Sequence, residues 1–137
     1  QRERIERAAP YVLERVQWLD TLPQSTDAIL IANEVLDAMP VHVVRTREGG
    51  RIDELGVRVA IGGDGFEPAY RDASATLAAA VQPLNLPQDY ETEINLAARA
   101  FVKSFARRIE RGALLFFDYG FPAAEYYHAQ RSHGTLI

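Results

Sequence analysis

The sequence predicts an α/β fold: an open, parallel-type sheet with an antiparallel β insertion spliced into one crossover. Three observations lead there. Two continuous apolar runs, Ala28 to Ala32 and Ala113 to Phe117, read as strands buried on both faces. Each run stops abruptly at acidic residues, in Asn33-Glu34-Val35-Leu36-Asp37 and in Asp118-Tyr119-Gly120. Between them lie a glycine-punctuated stretch and then a long amphipathic one, which is the pattern of a βαβ unit with an insertion.

Taken in order, residues 2 to 9 have helical spacing, with Ile5, Ala8 and Ala9 on one face, and Pro10 marks its end. Val16-Gln17-Trp18-Leu19 is a short apolar piece that reads as a strand, and the Leu22 to Ser25 stretch reads as a loop. After Ala32 the chain is expected to turn helically. Residues 41 to 70 then read as antiparallel strands, Val41 to Arg47, Arg51 to Leu55, Val57 to Ile61 and Phe66 to Tyr70, with turns at Glu48-Gly49-Gly50 and Gly62-Gly63-Asp64-Gly65. Residues 74 to 81 are alanine-rich and helical. Thr92 to Arg111 is the strongest helix, with Ile94, Ala97, Ala98, Phe101, Phe105 and Ile109 on one stripe. Thr92 is its expected N-cap, Glu93 lies in its first turn, and Gly112 ends it after Lys103, Arg107, Arg108 and Arg111.

The bulk numbers suit one globular unit. The chain has 137 residues, 47% hydrophobic and 25% charged. A net charge of −4 argues against a nucleic acid as the main partner. Cysteine is absent, which removes disulfides, thiol catalysis and thiolate metal sites, and fits a reducing compartment. No apolar run approaches the ~20 residues of a membrane span, so no membrane partner is expected. The chain opens at Gln1 in a charged stretch and stops at Ile137 in an unfinished segment, so it reads as cut from something longer.

The strand ends carry the candidate chemistry, because open α/β sheets bind ligands at the carboxyl ends of their strands. In a helical turn Glu34 and Asp37, three residues apart, share a face and could hold a cationic group, above all a guanidinium. Spacing alone is equally compatible with acids that cap and solvate the turn. Asp118 is placed to line the same crevice, or to end its strand in a simple turn. The three histidines, His42, His128 and His133, match no metal-ligand spacing, so no metal is expected. Gly62 to Gly65 lies between antiparallel strands and reads as a hairpin turn, not a phosphate loop. There is no glycine fingerprint of the dinucleotide type and no serine nucleophile elbow. Strand-end acids without that fingerprint make a nucleotide-dependent oxidoreductase the weakest reading.

Ala32-Asn33-Glu34-Val35-Leu36-Asp37-Ala38-Met39-Pro40-Val41-His42 resembles the first signature of MidA-type S-adenosylmethionine-dependent methyltransferases. Asp118-Tyr119-Gly120-Phe121-Pro122, followed by Glu125-Tyr126-Tyr127-His128, Gln130-Arg131 and Gly134-Thr135-Leu136, resembles the second, and Glu93-Ile94-Asn95 a short motif between them. That family includes a mitochondrial complex I assembly factor that methylates a protein arginine.

The resemblance implies a Rossmann-like class I methyltransferase sheet, incomplete here. The piece at 16 to 19 would be its third strand, and the runs at 28 to 32 and 113 to 117 its fourth and fifth. The family's glycine-rich cofactor loop would lie upstream of Gln1 and the last strands beyond Ile137. Residues 1–137 would then be a partial domain, with the insertion at about 41–70, that folds poorly alone because its apolar edges are unpaired.

The resemblance further implies S-adenosylmethionine as cofactor and a protein arginine as substrate. Glu34, Asp37 and Asp118 would be catalytic, and Asn33, Trp18 and Leu19 would contact the cofactor, Asn33 at its methionine part and the other two at its adenine. It implies a bacterial cytoplasmic location, or the mitochondrial matrix in a eukaryote. The alternative is a non-catalytic assembly factor that keeps the fold and uses the insertion to hold a partner protein.

Overall fold

Two sheets of opposite character organise the chain, whose residues 1–135 are described in a computed structural model. The first is a parallel pair, β1 (Thr26–Asn33) beside β6 (Ile109–Phe117), in register from Ala28 opposite Gly112 to Asn33 opposite Phe117. Gly112 is required there: its φ is +152°, and a Cβ would run into the Ala28 carbonyl. The second sheet is antiparallel, in the order β4-β3-β2-β5. It contains β2 (His42–Thr46), β3 (Ile52–Val59), β4 (Phe66–Asp72) and β5 (Glu91–Ile94).

The helices are α1 (Arg2–Ala8), α2 (Ala75–Val81), α3 (Leu96–Ala106) and the single turn α4 (Ala123–Tyr126). Helix α2 is capped by Ser74, whose Oγ accepts the Leu77 N–H at 3.2 Å. It lays Leu77 and Val81 on Val44, Ile52 and Ile94 of the antiparallel sheet, and these five side chains form the buried core. Helix α3 takes one face of the parallel pair, where Phe101 meets Phe116 edge-on at 6.4 Å.

The parallel and antiparallel parts, and the hairpin turn at Gly62 to Gly65, are as the sequence predicts. Three elements differ. Val16 to Leu19 is not a strand: it follows a 3-10 turn at Pro10–Arg15 and pairs with no neighbour among the described residues. Four residues cannot hold a strand conformation without a ladder of backbone bonds, and Trp18 instead faces α1, with the Arg2 guanidinium 5.1 Å from its ring. The expected helix at Thr92 to Arg111 is trimmed at both ends. Thr92 and Ile94 belong to β5, opposite Val44 and His42, and Ile109 already belongs to β6. Both isoleucines fitted the helical stripe, yet β-branched residues suit a strand as well. Asn95, not Thr92, is the N-cap. Finally, the two strands expected at 51–55 and 57–61 are one, running through Gly56. Leu136, the end of the second signature, lies outside the described residues.

Candidate functional site

The carboxyl ends of β1 and β6 meet at a turn rather than a helix. Glu34 N–H donates to the Phe117 carbonyl at 2.8 Å, and Met39 N–H to the Leu36 carbonyl at 3.2 Å, which closes residues 36 to 39 as a reverse turn. Glu34 itself sits at φ +50°, the left-handed region that a glutamate seldom adopts. Such a conformation persists only where its surroundings enforce it. The shared helical face expected for Glu34 and Asp37 is therefore not formed.

Asp118 supplies the enforcement. Its Oδ2 accepts the Leu36 N–H at 2.7 Å and the Val35 N–H at 3.1 Å, and its Oδ1 accepts the N–H of Tyr119 at 3.0 Å. Burial pushes this carboxyl up, but the backbone N–H groups of Leu36, Tyr119, Val35 and Asp37 outweigh it and hold it below the usual carboxylate range. A carboxylate engaged in this way anchors the turn.

Two acid-lined cavities flank that turn. A small one of about 210 Å³ is lined by Asn33, Glu34, Phe117, Asp118 and Tyr119. The Tyr119 hydroxyl donates to Glu34 Oε1 at 3.3 Å, a long bond that leaves most of the carboxylate's capacity open. The larger cavity, about 630 Å³, is lined among others by Asp37, Asn95, Arg99, Phe121, Tyr126 and Thr135, with Glu93 in its wall. The structure thus brings Asn33, Glu34 and Asp118 together and sets Asp37 on the neighbouring cavity. Trp18 and Leu19 are exposed and line neither.

Glu93 is the residue that sequence reasoning placed wrongly. It is 5% exposed and faces the larger cavity from β5. Its carboxylate accepts the Thr135 N–H at 2.6 Å, the Thr135 hydroxyl at 3.1 Å and the Tyr126 hydroxyl at 2.7 Å. Burial pushes the Tyr126 phenol up to about 12, with Glu93 adding to the rise and the Thr135 hydroxyl opposing it. The signal that could have found it is the alternation Thr92-Glu93-Ile94, a strand period that sends Glu93 to the face opposite its neighbours. Among the described residues no group of histidines and acids is arranged to hold a metal. His42 contacts Glu54 at 2.7 Å, and His133 contacts the Ser132 hydroxyl at 3.1 Å.

All 137 residues match the model of a family described as "Putative S-adenosyl-L-methionine-dependent methyltransferase". Two solved structures from Burkholderia thailandensis are similar to the chain. One is a superfamily member described as a "likely methyl transferase", bound to S-adenosyl-homocysteine; it is 43% identical with a TM-score of 0.84, over 98% of this chain and 35% of that one. The other is the native structure of an uncharacterized protein, 42% identical with a TM-score of 0.84, over 98% of this chain and 36% of that one. The chain thus spans about a third of the length of either. Among curated proteins none matches.

Proposed function

This chain belongs to that S-adenosyl-L-methionine-dependent methyltransferase family, and from that premise we propose that it forms the acceptor side of a methyl-transfer site of the MidA type, acting on a protein arginine nitrogen. One observation carries the reading: a strained turn at the strand ends presents two acids, Glu34 and Asp37, to two adjoining cavities, held in place by a third acid, Asp118. Within the reading, residues 1–137 are part of a longer domain, whose other strands pair with the free edges of β1 and β6 and whose other helices cover their bare face.

The residues present fit the cofactor's cationic end. The small cavity combines the Asn33 amide, the Glu34 carboxylate and the Phe117 ring, a set that accepts positive charge and cannot compensate a phosphate. Asn33 would hold that end, at the cofactor's methionine part. When bound, S-adenosylmethionine supplies a methyl group on a sulfonium and departs as a neutral thioether.

An arginine nitrogen is a weak nucleophile, since its lone pairs are delocalised and the group stays protonated. Carboxylates that accept N–H bonds from a guanidinium orient one nitrogen and draw the charge toward the others. Asp37 and Glu34 do this from either side of the turn. The proton displaced from the methylated nitrogen passes to a carboxylate and on to solvent.

In the full-length protein carrying residues 1–137, calorimetric titration with S-adenosyl-homocysteine should show one saturable site. Glu34→Gln should lower transfer by roughly 10²-fold or more, the scale of removing one transition-state electrostatic contact, while thioether affinity changes little. Normal turnover in that variant would remove Glu34 from the reaction.

A second reading has one observation in its favour. Beyond the reach of β2, the β3–β4 hairpin runs on as a two-stranded ribbon that exposes Val57, Val59, Ile61 and Phe66. A protein without transferase activity would use that ribbon to hold the arginine-bearing partner. Failure of the folded protein to bind S-adenosyl-homocysteine would favour it.

A further inference from the structure

We infer that Glu93-Ile94-Asn95 is a two-way clamp that sets the distance between the walls of the larger cavity. Ile94, fully buried against the α2 core, fixes the tripeptide in place. Strand alternation then sends Glu93 to the opposite face, under the 120–135 segment. Asn95 stands one residue on, where the strand gives way to α3.

Each polar side chain grips a different wall. Asn95 divides its amide: Oδ1 accepts the Ala98 N–H at 2.7 Å and caps α3, while Nδ2 donates to the Leu36 carbonyl at 3.1 Å. That second bond holds the turn carrying Asp37. Glu93 grips the opposite wall through Thr135 and Tyr126, three charge-assisted bonds to one buried carboxylate. Such an acid is costly to leave unpartnered, which favours the docked segment.

The far wall is shaped to match. Gly134 adopts φ +73°, a conformation that L side chains rarely adopt, and a Cβ there would meet Glu93 Oε1, so a larger residue would strain the backbone and displace the carboxylate. Glu91 N–H adds a parallel tie to the Ser132 carbonyl at 2.9 Å, and Tyr90 hydroxyl one to the His128 carbonyl at 2.9 Å. These ties register the segment on β5, and Glu93 is the link among them that faces the cavity.

Resting on the methyltransferase reading, the role of the clamp is positioning: it fixes the gap across which an acceptor side chain reaches Asp37. Neither Glu93 nor Asn95 need touch the reacting atoms.

The test is hydrogen exchange on the full-length protein carrying residues 1–137, comparing wild type with Asn95→Asp, Glu93→Ala and Gly134→Ala. Asn95→Asp keeps the cap and puts a carboxylate oxygen in place of the donor to the Leu36 carbonyl. It should speed exchange in 34–39 by about tenfold or more and leave 126–135 unchanged, as expected for local opening. Glu93→Ala should do the reverse. Gly134→Ala should reproduce that result from the loop side, with the strand untouched, which keeps the test open if Glu93→Ala does not fold. Opening of both segments together in every variant, or of neither, would overturn the clamp. The same preparations titrated with S-adenosyl-homocysteine separate the two claims: a wild type that binds none removes the methyltransferase reading, while the exchange pattern still decides the clamp.

Discussion

Val44 and Ile94 in the antiparallel sheet are fully buried, whereas Ile29 and Ile31 in the parallel pair are 67% and 69% exposed. Both regions are rich in aliphatic strands and each carries one helix. The antiparallel sheet needs one covered face, and α2 covers it. The strands of the parallel pair are apolar on both faces, as strands flanked by two helical layers are. Helix α3 covers one face, and Ile29, Ile31, Leu115 and Phe117 form the other, uncovered one. Burial is thus decided by the number of layers a strand's sequence expects. The antiparallel unit satisfies its own pattern, and the parallel pair does not.

The largest expected effect tests that contrast. Leu77→Ala should cost about 2–5 kcal/mol in urea denaturation of the 137-residue chain, the range for a buried leucine. Ile31→Ala should cost under about 0.5 kcal/mol in the same chain, as surface changes do. In a longer protein whose added layer covers β1, the second value should rise toward the first. Equal costs in the 137-residue chain would break the comparison, since they would mean that the parallel pair already has a core.

The same contrast explains what could be read in advance. Ala28–Ala32 and Ala113–Phe117 announce themselves because unbroken apolar runs bounded by acids have few other uses. Glycine turns at 49–50 and 62–65 place the hairpins. Thr92 to Ile94 reads as helix in the sequence because Ile94 and Ile109 satisfy a helical stripe and a strand equally, and only pairing with β2 decides between them. At the site, the acids Glu34, Asp37 and Asp118 were legible as strand-end residues. Their division of labour was not. Asp118 bonds amides 82 and 83 residues earlier, and Glu93 bonds groups 33 and 42 residues later. Such partners follow from topology, which local spacing does not encode.

A smaller effect concerns the joint of the parallel pair. Asp118 has its carboxyl held below the ordinary range in the folded chain. A depressed acid contributes stability above its unfolded pKa, about 3.9 for aspartate, and loses that contribution as pH falls through the folded value. Acidification below about pH 4 should therefore release the Val35 and Leu36 amides, seen as a shift of their NMR resonances with a midpoint under 3.9. Asp118→Asn should abolish that titration. Amide shifts that persist in the variant would mean that another acid holds the turn.

The smallest effect lies on the antiparallel side, and its sign is opposite. The Tyr126 phenol, pushed up to about 12, is neutral and donates to Glu93. A group whose folded pKa is raised contributes stability that is complete below its unfolded value, about 10 for tyrosine, and is lost as pH rises through the folded one. Ionised Tyr126 would place a second negative charge against Glu93 with no proton between them. The 126–135 segment should therefore stay docked at pH 9 and loosen as pH approaches 12, a loosening visible as faster proteolysis there. In Tyr126→Phe the alkaline transition should vanish, while Thr135 keeps the segment docked at neutral pH. That variant should cost only about 1 kcal/mol, one hydrogen bond's worth, because Glu93 retains its two bonds to Thr135. If the segment instead came free at neutral pH, the phenol rather than the Thr135 amide would be the principal tie, and the clamp would depend on a group that alkali can switch.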